Sequence, residues 1–192
     1  MLEFLNQIDT SVFLFLNGMH NEFFDFLMYW ITKQETWYPF YTLIIIWMFW
    51  KYKLKALLPF LMIILGVVIS DQFTSGFMKP FFERLRPCHD SDINQLVHIV
   101  AGCGGLYGFA SGHASNSFFL AFLLFFFFRT QFKYPWLIFI WAALVSYSRV
   151  YVGVHYPGDI IVGGLIGYLV AVLLYWTYNR FPENRKIHLV YL

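Results

Sequence analysis

Long apolar stretches alternate with short polar segments along this chain of 192 residues. Six apolar stretches stand out, at residues 21–33, 37–50, 56–78, 114–128, 134–151 and 158–178. A helix that crosses a bilayer needs about 20 predominantly apolar residues, so a chain of this length has room for about six crossings. The pattern predicts an all-α fold, a polytopic membrane helix bundle with about six transmembrane helices.

The first two stretches are short for complete crossings, and the segment before them mixes acidic, polar and apolar residues. Such a segment allows an interfacial helix over residues 1–20, lying along the membrane surface. The segment lacks a basic beginning and a small-residue cleavage pattern, so we do not interpret it as a cleaved signal peptide. Six crossings are the prediction, and five crossings with a different N-terminus are the alternative.

Composition supports a membrane protein and limits the room for anything else. Of all residues 59% are hydrophobic and 12% are charged, whereas a soluble domain carries about 25% charged residues. Six crossings leave no space for a separate soluble domain, so we expect one membrane-embedded domain over residues 1–192, with its chemistry on helix ends and loops. The formal charge of +2 is too small to indicate a nucleic-acid partner.

Basic residues cluster in three short segments that six crossings would place on one side of the membrane. The clusters are Lys51, Lys53 and Lys55; Arg129 and Lys133; and Arg180, Arg185 and Lys186. Basic loops remain cytoplasmic in most membrane proteins. We therefore expect an integral protein of a bacterial inner membrane with both termini in the cytoplasm. The segments 79–113 and 149–159 would then face the periplasm or the exterior, the first of them as a catalytic loop.

The outward side holds four basic residues that the orientation rule does not require there, and Lys79, Arg86 and Arg149 are three of them. Lys79 and Arg86 belong to one polar stretch, and Arg149 ends a later apolar stretch. Arginine binds phosphoryl oxygens in a bidentate manner, and lysine contributes a point charge. Ser111 and Gly112 lie where a helix begins, so that backbone N–H groups there can point at the same anion. This set predicts a site for a phosphate group.

Two histidines and one carboxylate accompany the cations. His155 and Asp159 are four residues apart, so they share one face of a helical turn. A carboxylate bonded to one ring nitrogen fixes the tautomer and leaves the other nitrogen for nucleophilic attack. His113 is placed to protonate the leaving oxygen and later to deprotonate a water molecule. No cysteine or histidine pair in the sequence has metal-ligand spacing, so we predict phosphoryl transfer through a phosphohistidine, without metal or cofactor.

These motifs, in this order and spacing, resemble the type 2 phosphatidic acid phosphatase superfamily, which also includes the vanadium-dependent haloperoxidases. The resemblance covers roughly residues 55–178. It implies phosphate binding by Lys79, Arg86, Arg149, Ser111 and Gly112, a nucleophile at His155 with Asp159 as its partner, and a general acid at His113. One position departs from the pattern, because Ala110 stands where the family usually has proline. We expect a modest effect, since Ala110 carries no reacting group.

Four further residues lie close to these motifs in the sequence. Asp71 lies one to two turns before Lys79, and we favour a supporting role for it over a catalytic one. Arg84 is a candidate for binding anionic headgroups, and its alternative is a solvated pair with Glu83. Cys88 and Cys103 both fall in the outward segment, where an oxidising compartment permits a disulfide. A disulfide and two free thiols are both compatible with the sequence.

A site at the bilayer boundary meets headgroups whose tails stay in the membrane, so a lipid phosphate is the predicted substrate. Phosphatidate, phosphatidylglycerol phosphate, a polyprenyl pyrophosphate and a lipid A phosphate are the candidates. The short outward loop argues mildly against elaborate recognition of a large sugar headgroup. The alternative functions are a haloperoxidase-like enzyme and a protein that binds or transports lipid headgroups. The latter gives no reason for the histidines.

Overall fold

The computed structural model describes residues 2–180, and helices dominate this range. The α-helices are α1 (Leu2–Gly18), α2 (Glu22–Thr32), α3 (Tyr38–Tyr52), α4 (Leu57–Asp71), α5 (Lys79–Phe82), α6 (Gly112–Phe128), α7 (Leu137–Tyr151) and α8 (Pro157–Arg180). A π-helical segment, Gln72–Met78, joins α4 to α5. Six of these helices have 15 or more residues, and residues 2–180 contain no β-strand. The predicted all-α bundle of about six long helices is confirmed.

Helix α6 lies at the centre of the bundle and packs against α4, α7 and α8. Its closest neighbour is α8, where Gly163 and Gly167 face the α6 backbone. A Cβ at either glycine would overlap the carbonyl groups of Ser111 or Ser115. Small residues let membrane helices approach closely, so these glycines bring the start of α8 next to the start of α6.

The outside of the bundle is apolar, as contact with lipid requires. Large hydrophobic side chains are exposed on α3, α4 and α8, including Leu43, Leu61 and Ile161. Two helical stretches, Gln34–Phe82 and Pro157–Arg180, are long and apolar enough to cross a bilayer. At 24 residues, α8 is about 36 Å long, which exceeds the hydrocarbon thickness of about 30 Å.

Helices α3 and α4 form a hairpin that opens away from its turn. The turn is the 3₁₀ segment Lys53–Ala56, which Lys53 enters with a positive φ of 54°. Near this turn the two helices touch through Phe49 and Phe60, whose ring centroids are 5.6 Å apart. Farther from the turn they separate and border a groove.

The N-terminal helices lie at one end of the bundle. Helix α2 has 11 residues, about 16 Å, and is too short to cross the hydrocarbon layer. At its start the backbone N–H of Asn21 donates to the Tyr151 hydroxyl (3.3 Å), and at its end Thr32 accepts a hydrogen bond from Arg149. Both ends of α2 therefore contact the C-terminal end of α7. The stretch 21–33, predicted as the first crossing, fits the alternative with five crossings.

Candidate active site

The three polar stretches identified from sequence meet at the end of the bundle where α6 and α8 begin and α7 ends. The backbone N–H of Ser111 donates to the Asp159 carbonyl at 3.0 Å, which ties the start of α6 to the start of α8. The charges of Lys79, Arg86 and Arg149 all act on His113. The structure thus gathers the predicted residues around one point.

The turn between α7 and α8 holds His155 rigidly. Its Nδ1 lies 3.2 Å from Asp159 Oδ2, and the backbone N–H of Tyr156 donates to the same oxygen at 3.0 Å. Both side chains are buried, at 2% and 0% exposure. With the carboxylate as acceptor Nδ1 carries the proton, so the lone pair on Nε2 is available for attack.

Burial lowers the pKa of His155 from its ordinary value to about 4, while Asp159 acts in the opposite direction. The charges of Arg149 and Arg86 lower this pKa further. The imidazole is therefore neutral at physiological pH, as a nucleophile must be. A cation formed later on this ring has the Asp159 carboxylate beside it.

Two arginines flank this histidine and are held by polar groups of the surrounding segments. Arg86 donates from Nη1 to the Cys103 carbonyl (2.8 Å) and from Nε to the Tyr107 carbonyl (3.2 Å), and burial lowers the pKa of Arg86. Arg149 donates from Nη1 to Thr32 Oγ1. Its Nε–H is buried and has no acceptor among residues 2–180, so this guanidinium keeps a donor for an anionic ligand.

Lys79 is supported by a ladder of polar side chains along the π-helical segment. Its Nζ lies 3.4 Å from Ser75 Oγ, and Ser75 Oγ lies 3.3 Å from Asp71 Oδ1. The three residues follow one another at intervals of four, one per helical turn. Asp71, assigned a supporting role from sequence, contacts Lys79 through Ser75 rather than directly.

The start of α6 approaches this ladder. Ser111 caps the helix by accepting from the Ala114 N–H (3.4 Å). A Cβ at Gly112 would lie 3.3 Å from Thr74 Oγ1 and 3.4 Å from Ser75 Oγ, a tight fit that favours glycine. Ala110, in place of the family proline, is fully buried.

The sequence and the fold are similar to those of one known family of proteins. The sequence profile described as the PAP2 superfamily matches residues 60–183. The chain belongs to the PAP2 superfamily. A lipid A 4'-phosphatase of Bacteroides thetaiotaomicron is 40% identical, covering 94% of this chain and 81% of the relative. A lipid A 4'-phosphatase of Porphyromonas gingivalis is 39% identical, covering 92% and 75%. The PAP2 type phosphatidylglycerolphosphate phosphatase of Bacillus subtilis shares the fold (TM-score 0.69, 21% identity, 92% and 87% covered).

Membership of the PAP2 superfamily confirms three of the expectations drawn from sequence. The chain is an integral membrane protein, it is an enzyme, and its class is that of the lipid phosphate phosphatases. The profile match over residues 60–183 also overlaps the range 55–178 in which the resemblance was found. The role of each site residue stays a prediction.

An apolar groove leads from the candidate site into the membrane region of the bundle. It has a volume of about 320 Å³ and begins beside His113 and Thr32. Its walls come from α3, α4, α6 and α7, with Trp37, Tyr41, Ile44, Phe60, Ile63 and Val67 among the lining residues. Asn116 also lines it, and the buried Asn116 Oδ1 has no hydrogen-bond donor among the described residues. The groove can take an apolar chain while the phosphate stays among the cations.

The outward segment is an irregular loop closed by a disulfide. Cys88 and Cys103 are bonded, with their Cα atoms 6.0 Å apart, which selects one of the two alternatives left open by sequence. The closed loop contributes about 3 kcal/mol to the free energy of unfolding. Because Arg86 bonds to the Cys103 carbonyl, the bridge also supports a phosphate-binding candidate.

Within residues 2–180, two clusters of histidine, cysteine or aspartate side chains have donor atoms close enough together to be considered for a metal ion. Cys88, His89 and Cys103 form one, but its thiols are joined in the disulfide. His20, Asp25 and His98 form the other. There the imidazoles stack in parallel, 3.7 Å apart and 3° from coplanar, so their in-plane lone pairs do not converge on one point. Neither arrangement is shaped for a metal.

Arg84 does not form the solvated pair with Glu83 considered from sequence. Its guanidinium bonds to Asp159 and to Asp9 of α1, both at 2.8 Å. Sequence reasoning gave Asp9 no role, because nothing in the spacing connects residue 9 to the motifs. The one feature of the sequence that could have identified Asp9 is the position of a carboxylate among the apolar residues of a candidate interfacial helix.

Proposed function

We propose that this chain removes a phosphate from a lipid through a phosphohistidine on His155, without a metal ion. One observation carries the proposal. Arg149 holds a buried Nε–H without an acceptor among residues 2–180, in a site where Lys79 and Arg86 add two further cations around the two histidines. Three fixed cations can stabilise the equatorial oxygens of a phosphoryl group in transfer, which a metal ion does in other phosphatases.

In the first step Nε2 of His155 attacks phosphorus in line with the ester oxygen. The N–P bond forms as the P–O bond to the lipid breaks, and His113 gives its proton to the departing oxygen. Asp159, bonded to Nδ1 at 3.2 Å, stabilises the positive charge that develops on the ring. The products are a lipid alcohol and phosphohistidine.

In the second step water attacks the phosphohistidine. His113 takes a proton from the water as the new P–O bond forms and the N–P bond to His155 breaks. Inorganic phosphate leaves, with His155 neutral and His113 protonated for the next cycle. The same side chain therefore serves as acid and then as base.

Among the four candidate lipids we propose the phosphorylated amino-sugar lipid, lipid A, with the 4'-phosphate as the group removed. Two relatives about 40% identical over more than nine tenths of this chain carry that name. Asn116 Oδ1, which accepts no hydrogen bond from the described residues, supports this choice. A sugar lipid offers O–H and N–H donors near its phosphate, whereas phosphatidate has none there. The similarity to these relatives and the Asn116 acceptor outweigh the short outward loop, which favours a smaller headgroup.

We further propose that the site faces the periplasm or exterior and that α1 and α2 lie on that surface. Lys51 lies in the last turn of α3 and Arg129 directly follows α6. Both are at the end of the bundle opposite the site, where basic cytoplasmic loops are expected. The disulfide favours an oxidising compartment for the site. Five crossings by α3, the continuous helix α4–α5, α6, α7 and α8 then leave the C-terminus in the cytoplasm and the N-terminus outside. This revises the expectation of two cytoplasmic termini.

Phosphate release from a panel of lipid phosphates in detergent tests the activity and its substrate. The panel contains lipid A bisphosphate, phosphatidate, phosphatidylglycerol phosphate and a polyprenyl pyrophosphate, each with wild type and His155→Ala. We expect the highest kcat/KM on lipid A, loss of the 4'-phosphate by mass spectrometry, and full activity in EDTA. Loss of activity on chelation would contradict the metal-free mechanism. Equal phosphate release by His155→Ala would contradict the phosphohistidine.

Asn116→Leu tests the substrate separately. Removal of the polar acceptor should lower kcat/KM for lipid A by about tenfold and leave phosphatidate hydrolysis nearly unchanged, because only the sugar lipid offers a donor there. An equal change for both lipids would remove the support that Asn116 gives to lipid A.

Labelling of a single cysteine tests the topology. Glu3→Cys lies on α1, and an impermeant maleimide applied to intact spheroplasts should label it. Labelling only after permeabilisation would restore a cytoplasmic N-terminus and six crossings.

A further inference from the structure

Arg84 bridges two carboxylates from opposite ends of the chain. Its Nη1 donates to Asp159 Oδ1 and its Nη2 to Asp9 Oδ2, each at 2.8 Å. The guanidinium also lies over the Tyr156 ring, 4.1 Å from the centroid. Asp159 is fully buried, and Arg84 is 22% exposed. Since Oδ2 of Asp159 bonds to His155, the bond to Arg84 occupies the remaining oxygen of the same carboxylate.

Asp9 is held as firmly as Arg84. Its Oδ1 accepts from the backbone N–H of Gly158, at the start of α8, at 2.8 Å. A Cβ at Gly158 would lie 2.6 Å from Asp9 Oδ2, so a side chain at that position would displace the Asp9 carboxylate. Asp9 is 15% exposed. One carboxylate of the N-terminal helix is therefore placed next to the turn that carries the nucleophile.

We propose that Arg84 and Asp9 are positioning residues for the phosphoryl transfer: Arg84 orients Asp159, and Asp9 offsets the charge of Arg84. The proposal rests on the proposed function, since it takes His155 as the nucleophile. Neither residue touches the phosphate in this role. Both act on it through Asp159 and His155.

The charges explain why two residues are needed. Arg84 alone would orient Asp159 but would make it half of a neutral pair, and a neutral pair stabilises a positive imidazole poorly. Asp9 restores one net negative charge to the group of three. Asp159 thus keeps a fixed orientation and its ability to stabilise the cationic phosphohistidine.

The pH dependence of kcat/KM separates this role from simple anchoring of α1. Its acid limb reports protonation of the free nucleophile. Arg84→Gln removes a positive charge near His155, so the acid limb should move to higher pH. Asp9→Asn removes a negative charge, so the limb should move to lower pH. In the double variant the net charge of the group returns to its original value, and the limb should return close to that of wild type.

Other charged groups face His155 from the neighbouring elements: Asp159 on α8, Arg149 on α7, Arg86 in the outward loop and His113 on α6, and Lys79 on α5 faces His113. Asp90 bonds to the hydroxyl of the adjacent Tyr156. These groups and the ionisation of the substrate are the same in wild type and in every variant. Their contributions to the position of the acid limb therefore cancel when a variant is compared with wild type. The opposite shifts then belong to Arg84 and Asp9.

The values of kcat sharpen the test. We expect Arg84→Gln and the double variant to lose about 10-fold to 100-fold in kcat, because a misplaced catalytic group costs up to about 100-fold. Arg84→Lys keeps the charge, but a single ammonium group cannot replace the two Nη groups that bond to the two carboxylates. It should lose kcat while its acid limb stays near that of wild type. If Arg84→Gln fails to fold, two expectations still test the proposal. The acid limb should move to lower pH in Asp9→Asn, and in Arg84→Lys kcat should fall while the limb stays in place.

Asn17→Ala is the matched control, since Asn17 anchors the same helix without any charge. Its side chain bonds to the carbonyls of His98, Val150 and Tyr151. The control should lower Tm without moving the acid limb. A limb shifted alike in Asn17→Ala and Asp9→Asn, or unshifted in all variants, would overturn the positioning role. Activity retained by His155→Ala would instead overturn the proposed function, so the two failures are distinguishable.

Discussion

His155 and His113 face the same cations, but their surroundings differ. His155 is 2% exposed, and its Nδ1 contacts the Asp159 carboxylate, which also accepts from the Tyr156 N–H and from Arg84. His113 begins α6 beside the apolar groove. No hydrogen bond to its ring is found within residues 2–180. The first histidine is fixed by polar contacts on the α8 side, and the second borders the space available to substrate.

The difference matches the two roles that we propose. A nucleophile must meet phosphorus in one geometry, and the network around Asp159 provides that constraint. A general acid must reach an oxygen that belongs to the lipid, whose shape varies. A side chain at the mouth of a groove can adjust to it. The two sides of the site should therefore respond differently to mutation.

The largest effect is expected on the fixed side. His155→Ala removes the atom that accepts the phosphoryl group, so kcat should fall by about 10³-fold or more on every substrate. Initial rates on lipid and water-soluble phosphates measure this loss. His98→Ala, which alters a histidine outside the cation cluster, is the control. A loss confined to one substrate would show that His155 selects substrate rather than reacting.

The next effect distinguishes the two histidines. His113→Ala should reduce kcat by about 10²-fold to 10⁴-fold on an alkyl phosphate lipid, because the leaving alkoxide needs a proton. On p-nitrophenyl phosphate, whose leaving group is stable without protonation, the first step should be nearly unaffected, as a phenolate burst would show. An equal fall in the rate of the first step for both substrates would contradict the general-acid role.

Arg149 lies between the two sides, bonding to Thr32 and facing both histidines. Arg149→Lys keeps the charge but loses the bidentate guanidinium and its buried Nε donor. We expect kcat to fall by about 10²-fold, as when one transition-state donor is removed elsewhere. Steady-state kinetics measure it, with Arg129→Lys at the opposite end of the bundle as control. A change in KM alone would assign Arg149 to ground-state binding.

The smallest effect concerns the groove side. Val67→Phe places a ring in the groove and should raise KM for a long-chain lipid by about tenfold, or about 1.4 kcal/mol. KM for p-nitrophenyl phosphate should not change. Val68→Phe is the matched control, since Val68 is exposed and is absent from the groove lining. Equal effects of the two variants would indicate that the tail binds elsewhere.

Much of the fold and the site was predictable because the signals are local. Helix-length apolar stretches indicate the bundle, and the four-residue spacing of His155 and Asp159 places them on one turn. The spacing of Lys79 and Arg86 likewise lies within a single segment. These features depend on neighbours in sequence, and the structure brings them together as expected.

The remaining features depend on how distant segments dock. The contact between Asp9 and Arg84 joins residues 75 apart, and no periodicity encodes it. Helix α2 has the composition of a crossing, but the polar residues Asn17 and Asn21 attach its start to the end of α7. Hydropathy counts apolar residues and does not register such attachments, so the position of α2 was not determined from sequence.

The most direct test of the account is to trap the covalent intermediate. Enzyme mixed with ³²P-labelled lipid phosphate is quenched in base, where phosphohistidine survives, and the labelled peptide is identified by mass spectrometry. We predict label on His155, none in His155→Ala, and accumulation in His113→Ala when the leaving group is activated, because hydrolysis then lacks its base. Label on His113, or turnover without any labelled histidine, would contradict the account.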